Sequence, residues 1–162
     1  MRWAGSKVSW AALFTLTNLV ALAAWAALLL LPRGPRLSAV ILYAGVALLC
    51  LAYLGIIVAT HAGWADPGRL PGAPPPNFLD YNIVGLRNLF MSDAGLVLGW
   101  THYLALDLFA GLWIAKDADN KGFSRLVQAP FLLLTFLAGP VGLLLWLIVR
   151  ERRARRSART AA

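Results

Sequence analysis

The sequence predicts an all-α, multi-pass transmembrane helical bundle with four spans. Of the 162 residues, 60% are hydrophobic and 14% charged, more apolar surface than a water-soluble domain of this length can bury. Apolar runs at about 8–31, 37–60, 94–115 and 127–149 each have the length a bilayer crossing needs. The net charge of +8 comes from basic residues collected at the ends of these runs, as membrane topology requires and as a nucleic-acid surface would not. The chain reads as a single transmembrane domain, 1–162, ending in a basic tail, 150–162.

Arg2 and Lys7 precede the first span, Val8 to Leu31. Its apolar run continues past Ala21-Leu22-Ala23 to Pro32, longer than the core of a signal peptide, so an uncleaved span is expected. Asn18 is its strongly polar residue, a candidate interhelical hydrogen-bonder or substrate contact. Pro32-Arg33-Gly34-Pro35-Arg36 makes a tight connection. The second span, 37–60, carries no Asp, Glu, Lys, Arg or His and is read as scaffold, with Gly45 and Gly55 as close-packing positions. Cys50 lies within it and, as the single cysteine, excludes an intramolecular disulfide.

Residues 61–82 form the long loop, stiffened by Pro67, Pro71 and Pro74-Pro75-Pro76. His61, at its start, reads as a solvated helix end. A short interfacial helix is expected near 82–92, where Ile83, Val84, Leu86, Leu89 and Phe90 alternate with Asn82, Arg87 and Asn88. Arg87 reaches either headgroups or the interior.

The third span holds the candidate chemistry: His102, Tyr103 and Asp107. A carboxylate at the centre of a span costs about 2.5–3.5 kcal/mol on insertion scales, so it usually faces a bundle interior and marks a site. His102, Tyr103 and Asp107 fall within about 140° of one another around a helix. Tyr103 and Asp107 are four apart and can approach; His102 and Asp107, five apart, need a mediator. The turn Lys116 to Arg125 is charged and solvated. In the fourth span Gly139-Pro140-Val141-Gly142 predicts a break, and Thr135 just before it is placed to satisfy a freed carbonyl.

With four crossings, both termini and the long loop share one side. That side carries ten Lys/Arg against five opposite, which places the termini in the cytoplasm, as in a bacterial inner membrane. No P-loop, GxGxxG or GxSxG pattern and no His/Cys cluster with zinc spacing occurs, so no cofactor and no metal is expected.

Asn18 with Trp25 and Pro32-Arg33, Gly85-Leu86-Arg87-Asn88-Leu89-Phe90, the block Gly99-Trp100-Thr101-His102-Tyr103-Leu104-Ala105-Leu106-Asp107-Leu108-Phe109, and Thr135 with Gly139-Pro140-Val141-Gly142 together resemble the ABA4-like membrane family. Plant members of that family are implicated in forming neoxanthin from violaxanthin. The resemblance covers nearly the whole chain in order; its third-span block is the specific part. The short stretch before the first span and the Ala/Leu/Arg-rich composition differ from plant members and look bacterial.

The resemblance implies a redox-neutral isomerase of an epoxy-carotenoid or related polyene lipid. Asp107 and His102 would serve as acid and base in either order, with Tyr103 orienting or donating. Asn18, Arg87, Asn88, Trp100 and Thr135 would bind substrate or support the site. Two other readings stand beside it. One is a non-catalytic carotenoid- or lipid-binding protein, or an accessory subunit of another membrane enzyme. The other is a small proton-coupled transporter, which lacks the internal repeat expected of one. The expected partners are the bilayer, a polyene lipid, and a second copy or another membrane enzyme, with no nucleic acid.

Overall fold

The computed structural model describes residues 9–75, 77, 79, 80 and 82–160, with side chains described as far as Glu151. The basic start, the first residue of the first expected span at Val8, Pro76, Tyr81 and the tail side chains beyond Glu151 lie outside the described residues. Helices are α1 (Trp10–Leu30), α2 (Pro35–Val40), a π-helical stretch (Ile41–Ala47), α3 (Leu48–His61), α4 (Ile83–Phe90), α5 (Asp93–Asn120) and α6 (Arg125–Thr160). The all-α class is observed, and four helical segments, Trp10–Leu30, Pro35–His61, Asp93–Asn120 and Arg125–Glu151, are long and apolar enough to cross a membrane. Leu16, Leu19, Leu30 and Leu51 stand exposed, as lipid-facing positions of a membrane protein do.

Local signals set the helix starts. The Ser9 hydroxyl accepts from the Ala12 amide at 3.2 Å, the Asn82 side chain from Gly85 at 2.8 Å, and the buried Ser92 hydroxyl from Gly95 at 3.1 Å. Each satisfies an amide that the first helical turn leaves open. Pro35 opens α2, where its missing N–H is not needed. The expected interfacial helix near 82–92 appears as α4.

The chain forms two compact units. The first comprises 9–21 and 47–105. Its core joins Trp10, Ile56, Ala65, Ala94, Val97 and Leu98. The Trp10 indole donates to the Asp66 carbonyl at 2.9 Å. Amides of Leu70, Asp93 and Ala94 bond the carbonyls of Met91, Gly68 and Pro67, so residues 67–70 of the long loop are fastened to the start of α5. Gly68 has φ 65° there, and a Cβ would strike Asp93; glycine alone takes that conformation readily.

The second unit comprises 22–46 and 106–160. Its buried residues include Leu28, Ile41, Leu108, Ile114, Leu132 and Trp146. Small residues allow close helix approach, the main source of association where lipid removes the hydrophobic drive. Gly111 lies against the Trp25 ring, and Gly45 against Leu108 and Ala24.

The expected break in the fourth apolar run is present, at Ala138 (φ −153°, ψ 61°), just before Gly139-Pro140. Pro140 removes one amide donor and crowds the carbonyl four residues back. The break folds the helix on itself. Trp146 meets Phe131 and Phe123 with ring centroids 5.6 and 5.0 Å apart. Gly142 packs on Thr135 and the Phe131 carbonyl. In a straight helix residues 131 and 146 would be about 22 Å apart. The expected break is thus sharper than a bend: the segment Arg125–Glu151 has the length and composition of a span, and its two limbs run back along each other.

The returning limb is latched to the end of α5. Asp117 accepts from Lys121 Nζ at 2.8 Å, Arg150 Nε at 2.8 Å and Nη2 at 3.0 Å, and Trp146 Nε1 at 3.0 Å. The Arg150 guanidinium also lies 5.5 Å from the Trp113 ring centroid. Beside it Arg33 pairs with Asp119 at 3.2 Å and donates to Gln128, while Arg125 donates to the Leu31 carbonyl at 2.8 Å.

Candidate functional site

The first unit contains a cleft of about 760 Å³, within the range that binds small molecules. One wall is the α3 face Tyr53, Ile57 and His61, spaced four apart and so stacked along one side. Across from it stand Ile83, Leu86 and Leu89 of α4 and Leu98 of α5. The loop supplies Asn77, Leu79 and Asp80, and Asn82 completes a polar end. The walls are therefore mostly apolar, with the polar Asn77, Asp80 and Asn82 on the loop and at the start of α4.

Gly85 makes that closure geometrically feasible. A Cβ there would overlap the Asp80 carbonyl and carboxyl, so only glycine lets the loop pass this close to the start of α4. The Asn82 amide donates to Asp80 Oδ1, fixing the carboxylate beside the helix.

His102 stands one helical turn beyond Leu98, with its ring 5.6 Å from that of Tyr53 and tilted 47°. The residue is exposed and backs a side chain that lines the cleft. Tyr103 does not line it; its ring stacks on Trp100 at 5.3 Å and 28°. Trp100 Nε1 donates to Asn18 Oδ1 at 3.1 Å, and Phe14 lies 5.8 Å from the Trp100 ring. Asn18, Trp100 and Tyr103, expected separately as site residues, are thus one connected group, and Asn18 is the interhelical hydrogen-bonder. Arg87 is exposed and Asn88 half-buried on α4; their carbonyls accept the Met91 amide that ends the helix.

Asp107 has different neighbours. It is buried in the second unit, where Gly139 leaves just enough room for its carboxylate beside the α6 break. Thr135 is fully buried and donates to the Phe131 carbonyl at 2.8 Å, with Gly142 against it. Asp107 and Thr135 therefore both attend the break, while His102 attends the α3 wall. Among the described residues no three His, Cys, Asp or Glu side chains gather as a metal site.

Tyr53, His61, Asn77 and Asp80 were not expected as site residues. Tyr53 lies in a span that reads as scaffold, and His61 as a solvated cap. Their joint position depends on the loop folding back over α3 and α4, for which Gly85 and the Asn82 cap are the local signals among the described residues.

Comparison with curated proteins and with solved structures gives no match. Residues 12–146 match the family described as ABA4-like, ABA DEFICIENT 4-like. That match runs from the first turn of α1 to Trp146 in the returning limb of α6, and this membrane protein belongs to the ABA DEFICIENT 4-like family.

Proposed function

We propose that this protein binds a polyene lipid with an oxygenated end group in the cleft of the first unit and isomerises that end group without redox change. It works as an integral protein of a bacterial inner membrane. The observation that carries the reading is the cleft: apolar walls suit a polyene, and the polar end suits an epoxide-bearing ring. Membership of the family over residues 12–146 supports the substrate class.

The reaction opens an epoxide C–O bond, removes the proton of the adjoining vinylic carbon, and forms an allenic alcohol. Atoms and electrons are conserved, so product and substrate have one mass. It needs an acid at the oxygen and a base at the C–H. In this reading the Tyr53 phenol donates to the epoxide oxygen and His102, behind it, returns the proton. The Asp80 carboxylate accepts the C–H proton, and His61 holds the polar ring. Tyr103 and Asp107, expected at first as catalytic groups, act as supports, one on Trp100 and one at Gly139.

The test is expression in a carotenoid-producing bacterium supplied with a violaxanthin-type epoxide, followed by chromatography and mass determination of the pigments. A new product of unchanged mass is expected, lowered about 10²-fold or more in Tyr53→Phe and Asp80→Asn. Full product formation in both variants would remove the role assignment. Pigment that co-purifies unchanged would instead favour the second reading, a carotenoid-binding protein, which the apolar cleft walls suit equally.

A further inference from the structure

Where the C-terminal arm leaves the membrane is fixed by contacts within the second unit alone. In a straight helix Arg125 and Arg150 would be about 37 Å apart, enough to reach the far side of a hydrocarbon core. Instead Arg150 is bonded to Asp117 on the last turns of α5, a few residues from the link that leads into α6. Trp146 bonds the same carboxylate and packs on Phe123, which precedes α6. Neither limb has an apolar stretch long enough to cross alone: the first, 125–137, is about 20 Å long, and the apolar part of the second, 139–149, about 16 Å, where a span needs about 20 residues. At the break Gly139 is buried against Asp107 and Gly142 against Thr135, so one side of the turn is covered by protein, while Ala138 and Pro140 are exposed.

We infer that α6 re-enters the membrane rather than crossing it, so that its basic arm emerges on the same face as the 31–36 and 121–124 links, and that this face is cytoplasmic. The charge distribution favours the assignment. Arg33, Arg36, Lys116, Lys121 and Arg125 then stand with the six arginines from Arg150 to Arg159, eleven of the chain's fifteen basic residues on one face. A crossing α6 would separate those six from the other five and leave ten against five. Cytoplasmic faces carry the Lys/Arg excess, and a sharper excess specifies orientation more strongly. The arm's helix continues to Thr160 beyond the Asp117 latch, and basic segments beside a membrane are favoured by the anionic headgroups of the cytoplasmic leaflet.

The inference is independent of what the cleft binds, and labelling tests it. In a Cys50→Ala background, Asn120→Cys and Ser157→Cys are each exposed to a membrane-impermeant maleimide, in intact bacterial cells and in inverted membrane vesicles. Both are expected to stay unlabelled in cells and to react in vesicles. Labelling of the two from opposite sides would overturn the re-entry, and labelling of both in intact cells would overturn the cytoplasmic assignment. A second measurement reads the fold directly. In native membranes an Asp117→Cys/Arg150→Cys pair, with a protease site inserted between 121 and 124, is oxidised and cut. Fragments that stay joined until reduction are expected; fragments that separate without reduction would refute the folded-back path.

Discussion

At the residue scale, glycines decide where polar groups can sit. A Cβ at Gly139 would overlap the Asp107 carboxylate, whereas one at Gly55 would meet nothing within 4 Å. Gly139→Ala should therefore lower stability by about 1–3 kcal/mol through overpacking. Gly55→Ala should be neutral or slightly stabilising, because alanine is the better helix former. Thermal unfolding of the two variants in detergent separates these outcomes. The Asn18–Trp100 hydrogen bond offers a second residue-scale test. A double-mutant cycle with Asn18→Ala and Trp100→Phe should give a coupling of about 0.6 kcal/mol, and at most about 1.7 kcal/mol, the range for side-chain bonds between membrane helices. A coupling of zero would mean that the pair is not formed in lipid.

At the scale of the element, α6 depends on both its break and its latch. Pro140 weakens the straight helix, but the return path is held by the Asp117 contacts. Asp117 and Arg150 side chains are 13% and 30% exposed, so the pair lies between a screened surface bridge and a buried one. Asp117→Asn combined with Arg150→Gln should show a coupling of about 1–2 kcal/mol in thermal unfolding. Additive effects would mean that aromatic packing of Trp146 holds the limb without the latch. The sequence made the break legible, because glycine and proline at 139–142 act locally. The reversal was not legible. It rests on contacts of Trp146 and Arg150 with residues 15 to 37 positions earlier, and hydropathy alone reads both limbs as one span.

At the scale of the whole molecule, the helices and the family were legible while the cleft was not. Apolar run length marks membrane helices because nothing else hides their backbone from lipid, so α1, α5 and the second apolar helix fall close to their expected bounds. Asn18 and Tyr103 stand out by their polarity within apolar runs and Trp100 by the family resemblance, and the three form one group. Tyr53 and Asp80 carry no such mark, since Tyr53 has no Asp, Glu, Lys, Arg or His within seven residues of it and Asp80 sits in a polar loop. The consequence of the cleft can be measured without knowing the chemistry. Leu86 lines it and is 53% exposed, so Leu86→Trp fills space without crowding a core. That variant should retain several-fold less pigment at unchanged thermal stability. Full retention would move the lipid site elsewhere.

The π-helical stretch Ile41–Ala47 has a bearing on the chain's tolerance of length change. Hydrogen bonds closing over five residues take up one residue more than an α-turn needs. A single deletion between Ile41 and Ala47 can be absorbed by reversion to α geometry, leaving the flanking helices in phase. The same deletion in the middle of α5 would turn every later side chain by about 100° and carry Asp107 away from Gly139. Slack in this protein is thus stored in seven residues of its second apolar helix, and loss of a codon there should be survivable where its loss in α5 is not.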